Sequence, residues 1–395
     1  MKKIITLVLY FSFTLFSMAQ NGSDAAQKFE QSKEILKATD LSIPVSPAYF
    51  LLDAATSLVA TPSVTRNVKV DWAFRSYAVS PNFALEIQPI WEAKYNRPYL
   101  RTYRNATPFQ RMLSTLSVSA GAFQREINND SIRIAGGEVK IIARESIKKW
   151  FMSAALKLTL YRQFDPFLAD DYYKPLEIEY TTRKLKYKRE LLQLRIKIDS
   201  TATPDDTTQI AIQRRISAIE SEEDAYEGVQ MDKLKAMRKR YQAEHWNGAM
   251  LEIAYGKTGR LETIATISDS QAVVGRKLID DGRGVWVSGC KGIGKSILLS
   301  GTVRYLGDFS TKHRTSFGAN VRYGGTTYNS YFEVFYDLQP KVLLIANRKL
   351  WFFGFGGDWR LNNVLNLSFG MRTSVNQNGQ MLGLLPVVSL SCLMR

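Results

Sequence analysis

The sequence predicts an all-β membrane protein: an antiparallel transmembrane β-barrel of about twelve strands, interrupted once by a mostly helical insert. Two observations predict this fold, an N-terminal export signal and repeated runs of about ten residues in which apolar and polar side chains alternate. A period of two directs one set of side chains to lipid and the other to the barrel lumen. A soluble sandwich would need a second layer over many apolar faces. Representative runs are 296–308, 313–324 and 364–374.

Residues 1–19 have the organisation of a secretory signal peptide. Lys2 and Lys3 form a basic start, residues 4–16 are mostly apolar, and cleavage is expected near Ala19/Gln20, after a small-x-small sequence. The apolar run is shorter than the roughly 20 residues that a membrane helix needs. Export together with barrel strands predicts that the protein resides in the outer membrane.

Residues 20–67 are expected to form an N-terminal periplasmic or plug segment, because Pro44, Pro47 and Pro62 oppose a central strand. Four strands are predicted in 68–144 and eight in 246–395. Tryptophans near strand ends, where interfacial girdles lie, are Trp72, Trp91, Trp246, Trp351 and Trp359. The twelve predicted strands are 68–79, 82–93, 109–125, 131–144, 247–258, 282–292, 296–308, 313–324, 329–338, 349–360, 364–374 and 384–394.

Residues 145–245 break the alternation and are predicted to form the helical insert, with charged outer faces typical of a helical hairpin or short coiled coil in water. Leu156, Leu158 and Leu160 also allow a strand, which would change the strand count and the side of the membrane. With four strands before it, the insert is expected in the periplasm, where it could contact a protein partner.

The segment Gly289–Ser296 matches the phosphate-binding loop pattern of nucleotide-binding proteins. In those proteins a helix follows the loop, whereas residues 297–306 alternate with period two and favour a strand. We therefore predict a hairpin turn near Gly292–Gly294, in which glycine serves the backbone conformation. Nucleotide binding is the least favoured function.

No catalytic, cofactor or metal site is predicted, and no cofactor is expected. His245 and His313 are the only histidines, and neither lies beside a recognisable nucleophile. An enzyme is therefore not expected, although a barrel hydrolase stays an open alternative. Cys290 and Cys392 are expected as isolated thiols rather than as a disulfide.

Charged residues that strand parity directs into the lumen are the candidates for function. Such charges usually pair into a structural ladder, and a solute filter is the alternative if the basic members cluster at one constriction. The candidates are Asp71, Arg75, Glu86, Arg111, Glu138, Lys140, Arg144, Glu252, Arg304, Arg322, Glu333 and Arg372.

The chain carries 53 Lys and Arg against 37 Asp and Glu, a formal net charge of +16. In an exported protein this excess favours lipopolysaccharide phosphates or an anion-favouring lumen. Outer-membrane lipid and lipopolysaccharide are therefore the expected partners, and nucleic acid is not.

Three short motifs carry a resemblance: Ser46-Pro47-Ala48-Tyr49-Phe50-Leu51-Leu52, Trp246-Asn247-Gly248-Ala249-Met250-Leu251-Glu252 and Gly284-Val285-Trp286. The chain resembles uncharacterised outer-membrane β-barrel proteins of Bacteroidota over most of residues 44–395. The resemblance implies a barrel with a proline-bearing N-terminal segment and implies no activity. From the residues, we expect a channel or transporter for small solutes. The alternative is a structural or assembly component that docks a partner through the helical insert.

Overall fold

The computed structural model describes residues 45–394, except 53, 67, 76–77, 97–100, 136–137, 201–205, 269–270, 309–312, 340–347, 363 and 376–378. Within that range twelve strands form one closed antiparallel barrel, as the sequence predicts, and the last strand pairs with the first. The strands are β1 (Val68–Arg75), β2 (Ala78–Ile87), β3 (Ser117–Ala135), β4 (Glu138–Arg162), β5 (Met250–Ser268), β6 (Gln271–Ile293), β7 (Ile297–Asp308), β8 (His313–Gly324), β9 (Tyr328–Gln339), β10 (Arg348–Arg360), β11 (Leu365–Val375) and β12 (Met381–Met394).

Five α-helices accompany the barrel in the described part of the chain. They are α1 (Pro47–Leu51), α2 (Arg101–Arg104), α3 (Pro108–Ser114), α4 (Asp170–Ser200) and α5 (Asp206–His245), and Trp91–Tyr95 adds a π-helical turn. Contacts divide the chain into two compact units, one with residues 173–232 of α4 and α5 and one with the barrel. None of the described helices is both long and apolar enough to cross a membrane.

The two faces of each strand differ in the way the alternation predicts. On β7, Val303 and Tyr305 are exposed on the outside, whereas Thr302 and Arg304 are buried on the inside. β8 repeats the pattern with Phe317, Val321 and Tyr323 outside and Ser316, Asn320 and Arg322 inside. A closed barrel satisfies its backbone hydrogen bonds internally, so an apolar outer face can contact lipid directly.

Predicted boundaries in the first six strands are wrong, and those of β3 and β4 change the organisation of the chain. β4 continues to Arg162, so residues 145–162 belong to the barrel and the helical insert begins at Asp170. β4 pairs with β3 over residues 138–157 and with β5 over residues 150–162. These ladders show that residues 145–162 form a strand, although their side-chain periodicity fits both helix and strand. The count remains twelve because the leucines extend β4 and add no strand. Residues 108–114 form α3, with Thr107 and Gln110 in a capping box, which places Arg111 on a helix before β3.

One end of the barrel carries connections of very different lengths. Residues 294–296, 325–327 and 361–364 join strands there, at the end where β1 begins and β12 ends. Residues 88–116 also join strands there, whereas the connections at the opposite end span two to eight residues. The connection 163–249, which contains α4 and α5, also leaves from the end where β1 begins.

Aromatic side chains mark both ends of the outer face. Trp351 and Trp359 are exposed near opposite ends of β10, about 26 Å apart at ~3.3 Å per strand residue. At a strand tilt of about 40°, that distance corresponds to a height of about 20 Å, which fits within the apolar band of about 25 Å of an outer-membrane barrel. Trp91 and Trp246 are buried and do not belong to a girdle.

The nucleotide-like segment is a hairpin turn, as predicted, although the turn lies at 294–296. β6 ends at Ile293, and Ile297, its ladder partner, begins β7. Gly294 has a φ of +62°, and Asn247 Nδ2 donates to the carbonyl oxygens of Gly294 and Ile297, each at 2.9 Å. Both cysteines are free thiols.

The turn yields a prediction about its glycines and its lysine. A Cβ at Gly292 would lie 2.3 Å from the Asn247 carbonyl oxygen, so Gly292→Val should impair barrel assembly. Gly294→Ala should cost about 1–2 kcal/mol because of its positive φ. Lys295→Ala should leave assembly nearly unchanged, since the contact with Trp246 Nε1 uses the Lys295 carbonyl oxygen. Heat-modifiable gel migration measures all three variants. ATP binding that disappears in Lys295→Ala would contradict the assignment.

Candidate functional site

The barrel lumen contains residues 45–66, which we call the strap. Ser46 caps α1 by accepting from the backbone N–H of Tyr49 (3.3 Å), and Pro47 starts the helix with a preset φ. Ala48, Tyr49 and Phe50 of α1 are buried inside the barrel. Apart from residue 53, the strap is described throughout, and it forms no strand. It therefore crosses the lumen without joining the sheet.

Carboxylates on the inner face hold the strap by its backbone N–H groups. Glu333 on β9 accepts from the N–H of Leu58 (3.0 Å) and Val59 (3.4 Å) and from the hydroxyl of Ser57 (2.5 Å). Glu252 on β5 accepts from the N–H of Ser63 (2.7 Å). A carboxyl group can accept several hydrogen bonds at once, so Glu333 and Glu252 are attachment points for the backbone of the strap.

Cations on the inner face hold the strap by its carbonyl oxygens. Lys157 Nζ donates to the carbonyl of Ser63 (2.9 Å), Arg304 Nη1 to that of Phe50 (3.4 Å), and Arg372 Nη2 to that of Ala55. Sequence reasoning missed Lys157 because it falls in the stretch assigned to the helical insert. The alternation of Leu156 and Leu158 around it is the signal that could have placed it in the lumen.

Apolar contacts seat the strap between the charged attachment points. The Leu51 side chain lies over two strand glycines: a Cβ would approach Leu51 to 2.7 Å at Gly256 and 2.9 Å at Gly284. Phe50 packs on Trp286 of β6 with ring centroids 5.4 Å apart. The glycines leave the space that the strap occupies.

Other inward charges pair with one another. Lys157 bridges Glu86 (3.1 Å) and lies 3.9 Å from Glu252, and Arg322 pairs with Asp358. This is the ladder arrangement that a narrow charged lumen favours. Among the side chains that the structure describes, the buried inward charges nearly balance. They are the cations Lys69, Lys157, Arg304, Arg322 and Arg372 and the carboxylates Asp71, Glu86, Glu252, Glu333, Asp337 and Asp358.

The predicted candidates divide into three groups. Those on the inner face are Asp71, Glu86, Glu252, Arg304, Arg322, Glu333 and Arg372. Arg111 lies on α3, outside the barrel wall. The side chains of the rest lie outside those that the structure describes: Arg75, Glu138, Lys140 and Arg144. Lys69, Asp337 and Asp358 also line the lumen and were missed.

The end of the strap is held by a buried cluster, which we call the clasp: Arg66, Trp91, Tyr103, Asp165 and Phe167. The Arg66 guanidinium lies 4.1 Å from the centre of the Phe167 ring and 4.7 Å from that of Trp91, and the two rings stack on each other. Arg66 Nη2 donates to Asp165 Oδ2 (2.7 Å), and Tyr103 donates to the same oxygen (2.6 Å).

The clasp keeps the Asp165 carboxylate ionised. Burial by itself raises the pKa of Asp165, but the guanidiniums of Arg66 and Arg162 and the Tyr103 hydroxyl outweigh it and lower that pKa to about 2. Asp165 and Phe167 lie in the connection between β4 and α4. The clasp thus ties the last residue of the strap to the chain that leads into the helices.

No group of three or more His, Cys, Asp or Glu side chains in the described part of the chain is arranged to hold a metal ion. Hydrogen-bonding and charged side chains of the described lumen bind the strap.

A closed antiparallel barrel with an apolar outer face and a polar inner face defines the chain as a transmembrane β-barrel. No family model and no curated protein matches it.

Three solved structures are similar to the chain. The KdgM porin has a TM-score of 0.34 at 4% identity, covering 83% of this chain and 99% of that one. The toluene transporter TodX of Pseudomonas putida has 0.33 at 8%, covering 90% and 96%. The CymD monoaromatic hydrocarbon channel has 0.30 at 7%, covering 83% and 87%. Similarities of this size do not define a function.

Proposed function

We propose that the protein is an outer-membrane channel or transporter for small solutes and that the strap closes its lumen at rest. The observation that carries this proposal is the way in which the lumen is filled. The strap forms no strand in its described residues, so it can leave without breaking a strand-to-strand ladder. The barrel would stay closed on itself, and a polar lumen would open.

The inner face is suited to a hydrated path once the strap moves. Neutral polar side chains line it beside the ion pairs, namely Ser300, Asn320, Asn366 and Ser368. Polar interiors are typical of barrels that hold water or a plug. The near balance of inward charge supports no selection by charge sign, so the proposed solutes are defined by size alone.

The export signal supports residence in the outer membrane. The signal, residues 1–19, lies outside the described residues, and cleavage near Ala19/Gln20 stays part of the proposal. Cell fractionation and the mass of the mature protein measure both points. A full-length mass or a soluble protein would contradict this placement.

Planar-bilayer conductance tests the channel. Wild type should show low or rare conductance, whereas Glu252→Gln/Glu333→Gln should open more often and conduct more. The reason is that Leu58, Val59 and Ser63 lose a carboxyl acceptor, and a hydrogen bond contributes about 0.5–1.5 kcal/mol. Glu244→Gln is the matched control, because the partner of Glu244 is Arg240 of the same helix, α5. Absence of conductance in every correctly inserted variant would contradict the proposal.

A structural or assembly component is the second candidate. The specific observation that favours it is the long helical connection between β4 and β5, which leaves from the end where β1 begins and β12 ends, the end proposed to face the periplasm. A connection of that size is unusual at the periplasmic end of a barrel. In this candidate the strap is a permanent part of the interior, and the helices make the contacts that matter.

A further inference from the structure

We propose that the face of α4 that points away from α5 binds an acidic amphipathic helix of a partner protein. This inference does not depend on whether the barrel conducts. It rests on α4 carrying two seams at coiled-coil spacing, of which α5 covers one.

The first seam packs against α5. Tyr173, Leu176, Tyr180, Lys184 and Tyr187 are buried along it. Lys184 bridges Glu223 (3.0 Å) and Glu227 of α5, and these two carboxylates raise its pKa although burial lowers it. Partners from α5 on this seam include Ile216 and Ile219, both buried.

The second seam is exposed. Its apolar members, Ile178, Leu185, Leu192 and Ile196, are 50–59% exposed. Together with Thr182 and Arg189 they follow alternating steps of four and three residues, the a/d pattern of a coiled coil. At about 100° per residue, Leu185 lies about 140° around α4 from Tyr180, so one neighbouring helix cannot cover both seams.

The basic residues around the second seam indicate that the partner helix is acidic. Residues 183–197 contain seven Lys and Arg and one carboxylate, Glu190. That carboxylate is bridged to Arg215 of α5 at 2.7 Å. Lys186, Arg189 and Arg195 are exposed beside the apolar members. Acidic residues at the flanking positions of a partner helix would complement them, and coiled coils set their pairing by such charges.

Arg189 restricts the choice of partner helix further, because it occupies an a position within the second seam. A charged residue at a core position selects register and partner, and here it calls for a carboxylate on the opposing helix. The same positive field disfavours a second copy of α4 as occupant, since its own basic residues would face each other.

A lipid surface fits the second seam less well. Helices that lie on membranes present a broad apolar face with aromatic residues. The second seam is a narrow stripe of aliphatic residues interrupted by Thr182 and Arg189. Its geometry is that of a helix-to-helix contact.

The test uses the full-length protein in nanodiscs of zwitterionic lipid and a synthetic three-heptad helical peptide. The peptide has Leu and Ile at a and d, Glu at the flanking positions and one Glu placed against Arg189. Titration by fluorescence anisotropy should show saturable binding that Leu185→Ser/Leu192→Ser weakens at least tenfold. Val229→Ser, at an exposed valine of α5, is the matched control and should change nothing. Circular dichroism and heat-modifiable migration verify folding of each variant.

Charge reversal separates this contact from general attraction. Arg189→Glu should weaken the acidic peptide at least tenfold and favour a peptide with Arg at the opposing position. A scrambled peptide of the same composition should not bind. The proposal would be overturned if the scrambled peptide and the helical peptide bound equally well, or if neither peptide bound. The proposal would also be overturned if the protein self-associated through the second seam in a concentration-dependent way. Burial of the second seam by anionic lipid nanodiscs in the absence of peptide would overturn it as well.

Discussion

Val303→Arg is expected to destabilise the barrel by about 2–4 kcal/mol. Val303 lies near the middle of β7 and is 50% exposed on the outer face. Because lipid surrounds that face, an arginine there must either enter hydrocarbon or reach for the interface. Urea unfolding in lipid vesicles, or loss of the folded band on a gel, measures the change.

A second valine on the same chain provides the control. Val229 on α5 is 56% exposed, much like Val303, but it belongs to the helical hairpin. Val229→Arg should change stability by no more than about 0.5 kcal/mol, as exposed helix positions in water tolerate charge. Equal effects of the two substitutions would mean that the outer face of the barrel does not contact lipid.

Asp165→Ala is expected to destabilise the protein by about 3–5 kcal/mol. The substitution leaves the Arg66 guanidinium buried among Trp91, Tyr103 and Phe167 without its ionised partner. Arg66→Met/Asp165→Leu should cost less than the single change, because neither charge is then buried alone. A double variant as unstable as Asp165→Ala would show that packing, and not charge, holds the clasp.

The same carboxylate gives a pH dependence with a defined sign. The pKa of Asp165 in the folded protein is lowered to about 2, below its unfolded value of about 3.9. Its contribution is therefore complete above about pH 4 and is lost as the pH falls toward 2. Asp165→Asn should be less stable at neutral pH and should lose less stability between pH 4 and 2. Parallel pH profiles of wild type and Asp165→Asn would refute this assignment.

The alternation of apolar and polar residues along the chain determined which side chains face outward and which face inward on the barrel strands. Period-two alternation on β7, β8 and β11 depends only on neighbouring residues, so the outer and inner faces could be read without the partner strands. Alternation also identified Glu252, Arg304, Glu333 and Arg372 as inward residues. The prolines and glycines likewise indicated a non-strand N-terminal segment and the turn after β6.

The tertiary structure alone decided what these inward residues contact. The extent of β4 was settled by its ladders with β3 and β5, because its side-chain pattern is compatible with two periodicities. Glu333 binds Leu58 and Arg66 meets Asp165 across long separations in sequence. Periodicity reports which way a side chain points relative to its neighbours along the chain. The partner it reaches is set by closure of the barrel around the strap, which no local pattern encodes.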